Sequence, residues 1–144
     1  MLLLLLLMAV GVKAENYRLP LTVIPHNYTI KVVPYFEERN FTFDGEVAIT
    51  VIAITDSSNI TLHYDSLEIM ETPTVTSTDD LHVLKVVDTS YDNDTNFYTL
   101  QLNDTLEPGE GYEIGIKYIG DLDHYMAGFY KSSYNTTANE TRYV

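Results

Sequence analysis

Apolar residues return at every second position through most of this chain, and a period of two is the signature of a pleated strand with one face buried. Tyr28, Ile30 and Val32 alternate with Thr29 and Lys31 until Pro34. Phe41, Phe43, Val47, Ile49, Val51 and Ala53 then share one parity in a run from Phe41 to Thr55, where Ile52 and Ile54 make the second face apolar at the far end. That run is long for one strand, so a bend or bulge is expected near Asp44-Gly45. Further strands are expected over Ile60–Tyr64, Leu67–Met70, Leu81–Val87, Phe97–Leu102 and Tyr112–Ile119. Turn chemistry separates them, at Asp56-Ser57-Ser58-Asn59, Thr78-Asp79-Asp80, Asp92-Asn93-Asp94 and Glu107-Pro108-Gly109-Glu110-Gly111. Val, Ile and Thr are abundant and Ala is scarce, and no helical period is sustained beyond the leading apolar run. An all-β, antiparallel, β-sandwich-like domain follows, with no internal boundary from residue 15 to the end.

The first 14 residues are of another kind. Leu2 to Val12 is uninterrupted apolar sequence before Lys13. It is too short to span a bilayer and fits the apolar core of a secretory signal peptide, with cleavage expected after Ala14. Sequons point to the same compartment: Asn27, Asn40, Asn59, Asn93, Asn103, Asn135 and Asn139 each head an Asn-x-Thr triplet. Composition alone gives roughly one or two. Asn27 opens a strand and is open to shielding, whereas Asn135 and Asn139 lie in a polar, turn-rich tail. A secreted or outer-surface glycoprotein is expected, and any membrane anchor would lie outside residues 15–144.

The chain has 144 residues, no Cys, and 8 Lys+Arg against 21 Asp+Glu, a net charge of −13. Disulfides and thiolate chemistry are excluded, and nucleic acid is an unsuitable partner because its phosphates need clustered cations. His26, His63, His82 and His124 form no H-E-x-x-H pair, no Ser sits in a G-x-S-x-G elbow, and no glycine-rich phosphate loop is present. Asp92, Asp94 and Asn96 imitate the start of a calcium loop, but Phe97 stands where Gly is required and Asn103 where Glu is. The pairs Glu37/Glu38, Asp79/Asp80 and Asp121/Asp123 read as solvated turns.

An ordered series of short motifs is more specific than any of these. Arg18-Leu19-Pro20 precedes Pro25-His26-Asn27-Tyr28, then come Phe43-Asp44-Gly45, Ile60-Thr61-Leu62-His63, and Leu106 with Pro108-Gly109. Tyr112, Ile114, Ile116, Tyr118, Gly120 and Leu122 follow at alternate positions, and Gly128-Phe129-Tyr130-Lys131-Ser132-Ser133-Tyr134 closes the series. The order resembles the N-terminal domain of the zinc aminopeptidase N family, with Asn27 where the family often has His.

The resemblance implies a saddle-shaped β domain that packs on a thermolysin-like catalytic domain. In that family a Zn²⁺ is held by H-E-x-x-H and a later Glu, and G-A-M-E-N binds the substrate's α-amino group. Neither motif occurs here, so no catalytic or metal residue is carried over, and the chain is expected to be inactive alone. The family's T-T-Q-x-E segment would come just after Thr141-Arg142-Tyr143-Val144, which reads as an interrupted strand. The expected role is that of a non-catalytic first domain that scaffolds the cleft of a zinc aminopeptidase acting on peptide N-termini, with the catalytic domain as its partner in cis. The other reading is a stand-alone secreted, glycosylated β module without peptidase activity.

Overall fold

The computed structural model describes residues 17–36, 41–123 and 128–144. Its eleven strands are β1 (Val23–Tyr35), β2 (Thr42–Ala53), β3 (Ser57–His63), β4 (Leu67–Ile69), β5 (Thr74–Ser77), β6 (Val83–Leu84), β7 (Val86–Asp92), β8 (Phe97–Leu106), β9 (Gly111–Asp121), β10 (Ser133–Asn135) and β11 (Thr141–Tyr143). Every pairing is antiparallel, as the alternation predicts. The large sheet runs β1-β2-β9-β5-β6, with β4 sharing the edge of β9 beside β5. A second sheet runs β3-β8-β7, and β10-β11 form a separate hairpin.

The core lies between the two larger sheets. Ile49, Val51 and Ala53 of β2, Tyr112, Ile114 and Ile116 of β9 and Val75 of β5 meet Ile60 of β3 and Leu100, Leu102 and Leu106 of β8. The opposite face of the large sheet carries charge: Lys31 pairs with Glu46, Glu46 with Lys117, and the Lys117 ammonium lies 2.9 Å from Glu71. Glu71 holds Lys117 above its ordinary pKa, chiefly through that hydrogen bond. Both side chains are solvated, so the row defines the outer face more than it stabilises it.

Three expectations change on meeting the structure. The bend near Asp44-Gly45 is absent: β2 holds one register against β9 from Thr42 to Ile52. The irregularity falls on its neighbour instead, between Pro25 and Asn27 of β1, because Pro25 cannot donate to a ladder. The run Leu81–Val87 is two strands. Lys85 separates them where the chain leaves the large sheet for the small one, and its N–H donates to Asn103 Oδ1 at 2.7 Å while its carbonyl accepts from the Asn103 N–H at 2.9 Å. Finally, β5, β10 and the part of β7 beyond Val87 were not expected as strands, and the strand expected at Thr141–Val144 is one arm of a hairpin.

Two glycines explain why β2 stays straight. Phe43 pairs with Gly120, and Gly45 pairs with Tyr118, so an aromatic ring lies across a glycine in two neighbouring cross-strand pairs. A Cβ on Gly120 would fall inside the Phe43 ring, and one on Gly45 inside the Tyr118 ring. Phe43 is buried and pinned edge-on by Tyr118 at 6.2 Å and Phe129 at 5.2 Å, so its ring has little room to yield. Gly120→Ala is expected to destabilise the fold by about 1–3 kcal/mol, and Gly45→Ala by less because Tyr118 is only partly buried. Thermal unfolding of the two variants checks both the size and the order.

Candidate functional site

Where the inner face of the large sheet outruns the small sheet, it opens into a cleft of about 310 Å³. Val47 and Ile49 of β2 and Ile116 of β9 form its floor, Leu62 of β3 and Tyr98 of β8 one wall, and Tyr28 of β1 the open rim. Alternation puts these side chains here, because Tyr28, Ile49 and Ile114 are successive cross-strand partners on the core-facing parity. The lining is mostly apolar, as in a surface meant for burial.

Tyrosines define one end of the cleft. The Tyr64 ring lies 5.1 Å from Tyr91 and 5.4 Å from Tyr98, and its hydroxyl donates to the Leu67 carbonyl. Burial raises the Tyr64 pKa, helped by the neighbouring tyrosines and by Glu68 and Asp65, and burial also raises that of Tyr118. The fold therefore keeps both phenols neutral beyond the ordinary value of 10.0, at which the unfolded chain begins to release those protons. Stability is expected to be unaffected by these groups below about pH 10 and to fall as pH rises from there through the raised values. Phenolate absorbance and melting temperature recorded together from pH 9 upward read both effects.

The sequence motifs divide between two adjoining places: Leu19, Tyr28, Leu62, His63, Ile116 and Tyr118 line the cleft, and the others gather mostly where β2 begins and β9 ends. Phe43, Gly45 and Gly120 meet Phe129, while the Lys131 ammonium sits 3.6 Å over the Phe41 ring and 2.8 Å from Asp123. Lys131 also donates its backbone N–H to the Leu122 carbonyl, and Tyr143 stacks on Phe41 at 4.9 Å, so this cluster ties the tail hairpin to the large sheet. Gly128 and Gly109 both have positive φ, and Gly109 turns the chain from β8 into β9. The buried Tyr112 hydroxyl accepts the Glu107 N–H at 2.9 Å across that turn. His63 stacks edge-on against Phe97 at 5.2 Å beside Leu62, Pro25 marks the irregularity in β1, and Ser132 exchanges backbone hydrogen bonds with Val144. Arg18, Pro20, Tyr130 and Tyr134 are exposed.

Carboxylates are held by their own turns. Asp92 accepts the Asp94 N–H at 3.0 Å and the Thr95 hydroxyl at 2.8 Å, and Thr95 is the main reason its pKa is lowered. Those bonds occupy the oxygens that a calcium loop would aim at its ion. Asp80 accepts the His82 N–H at 3.0 Å and is lowered chiefly by it. No group of three or more His, Asp or Glu among the described residues could hold a metal ion.

The leader at 1–14, Asn40 and His124 lie outside the described residues. Asn27, Asn93, Asn103, Asn135 and Asn139 are exposed, and Asn59 is half-buried beside an irregularity in β3. Asn59, Asn103 and Asn135 use Oδ1 as an acceptor, from the Ser57 hydroxyl, the Lys85 N–H and the Thr141 hydroxyl. A glycan joins Nδ2, so those bonds leave the site of modification open.

The family description of the peptidase M1 N-terminal domain matches residues 24–144. The puromycin-sensitive aminopeptidase of Caenorhabditis elegans is 32% identical over 117 residues, which are 81% of this chain and 12% of that protein. Aminopeptidase 2 of Candida albicans is 32% identical over 133 residues, 92% of this chain and 13% of its own length. Aminopeptidase N of Bos taurus is 26% identical over 127 residues, covering 83% and 13%.

Proposed function

The chain belongs to the peptidase M1 N-terminal domain family, and on that premise we propose that it is the non-catalytic first domain of a zinc aminopeptidase. Its role is to wall and support a catalytic cleft built by the rest of the enzyme. The observation that carries this reading is the apolar cleft beside Tyr28, Leu62 and Tyr98: the inner face of the large sheet extends past the small sheet that covers it. Exposed apolar surface of that kind on an otherwise acidic domain suits a cis interface, which buries roughly 600–1,500 Å². The share of the relatives that this chain spans, 12–13%, supports the same reading. Zinc, and the removal of N-terminal residues from peptides, belong on this proposal to the part of the enzyme beyond these 144 residues.

Sequencing the transcript that encodes the chain tests this directly. In-frame coding for H-E-x-x-H downstream of Val144 is expected, and a stop codon after Val144 with no such coding would overturn it. Purified alone, the chain should release no amino acid from aminoacyl reporter substrates with Zn²⁺ added. Zinc-dependent turnover by the 144 residues would place the chemistry here after all.

The same proposal includes entry into the secretory pathway and display outside the cell, supported by the apolar leader and by sequons on exposed backbone. When the chain is expressed in a secreting eukaryotic host, enzymatic removal of N-glycans should lower and sharpen its apparent mass. An unchanged mass would count against secretion.

A further inference from the structure

The turn between β7 and β8 holds its side chains in fixed places. Asp92, the last residue of β7, accepts the Asp94 N–H at 3.0 Å and the Thr95 hydroxyl at 2.8 Å. Asn96 closes the turn at a φ of 57°, a left-handed conformation that asparagine tolerates. The Asn96 carbonyl accepts the Tyr64 N–H at 3.0 Å, and its Oδ1 accepts the Tyr91 hydroxyl at 2.7 Å. The Tyr91 side chain is thus held twice, by its hydroxyl on the turn and by its ring edge-on against Tyr64 at 5.1 Å. It is nevertheless 40% exposed, because β7 is the outer strand of the small sheet. A ring fixed in this way has apolar area left to cover.

The same turn carries the sequon Asn93-Asp94-Thr95. Of the seven sequons, it is the one with an aromatic residue two positions before its asparagine. Asp92 between them is extended, so Tyr91 and Asn93 project to the same face. Asn93 is exposed there. We propose that Asn93 carries an N-linked glycan whose first N-acetylglucosamine lies on the Tyr91 ring, an inference that rests on the secretory reading above. One face of a pyranose is made largely of C–H groups, which suit the negative face of an aromatic ring and remove its apolar area from water. Because Asn96 and Tyr64 already hold the ring, covering it costs little side-chain entropy. In the transfer, Asn93 Nδ2 attacks the anomeric carbon of a lipid-linked sugar diphosphate. The N–C bond forms as the C–O bond to the diphosphate breaks, the diphosphate leaves with the electron pair, and Nδ2 gives up a proton. In the folded turn Asp92 engages the Thr95 hydroxyl, so transfer precedes closure and the sugar meets the ring as the turn closes.

The test uses the full chain from a secreting eukaryotic host. Releasing its glycans with an amidase in heavy-oxygen water leaves heavy aspartate where each glycan stood, and peptide mapping should find it at Asn93. In a second sample the glycans are trimmed to one N-acetylglucosamine per site. Asn93→Gln should lower the melting temperature of that trimmed chain by about 3 °C, and leave that of the chain made in bacteria unchanged. Tyr91→Phe keeps the ring and should keep the difference, whereas Tyr91→Leu should abolish it. If Tyr91→Leu folds poorly, the proton spectrum of the trimmed chain gives the second reading: an N-acetyl methyl signal moved upfield by the ring and absent from Asn93→Gln. Heavy label at other sequons with none at Asn93 overturns the inference and leaves secretion standing. No label at any sequon overturns secretion itself, and the sugar with it. A melting difference as large in Tyr91→Leu as in the unaltered chain also overturns the inference, as does a spectrum without the shifted methyl.

Discussion

The antiparallel ladder between β2 and β9 holds the rest of the molecule in place. Its register is unbroken from Thr42 opposite Asp121 to Ile52 opposite Gly111. One face of this ladder supplies Ile49, Val51, Tyr112, Ile114 and Ile116 to the core, and the other supplies Glu46 and Lys117 to solvent. β1 is laid on one edge and β4 and β5 end to end on the other. The small sheet has no backbone pairing with the ladder in the observed topology and is joined to it by packing and by the crossing at Lys85. A one-residue slip between β2 and β9 would turn the core set outward and strand the charged row inside, so the register is fixed by burial on one side and hydration on the other.

That dependence explains what the motif residues do. Phe43-Asp44-Gly45 and Tyr118-Ile119-Gly120 look like two unrelated short patterns. In the ladder they are one device, each aromatic lying across the other strand's glycine. Phe129 and the Lys131 latch then close over Phe43 and Phe41 from the end of the chain. The residues that carry the resemblance to aminopeptidases set backbone approach and register in this chain. Through those contacts they give the domain its shape.

Much of this was legible because burial has a period. The parity of Tyr28, Ile49 and Ile114 announced the core-facing side, and Pro108-Gly109 announced the turn into β9. What periodicity could not show was sheet membership. Leu84 and Val86 are both buried and read as one strand, yet they belong to different sheets because Asn103 takes hold of Lys85 between them. β5 is only four residues long, and its identity comes from its partner on β9. The tail hairpin has little burial of its own and is held by Phe41 and Lys131, which lie outside it. The alternation does not mark the cleft. Its place depends on where the small sheet stops covering the large one, a mismatch in extent that no local pattern encodes.

The mismatch has an energetic meaning. A domain of this size can hold a core without cysteines or metal, and the buried set between the sheets is that core. Tyr28, Ile30 and Val32 lie on the same face as that core but add little to it, since exposed apolar area gains nothing from folding. Their side chains return free energy only when something covers them. The net charge of −13 adds to the argument: self-repulsion keeps the rest of the surface in water, and β1, which has no acidic residue, is exempt from it. Apolar burial is therefore still to be gained on the inner face, where no acidic residue of β1 opposes it.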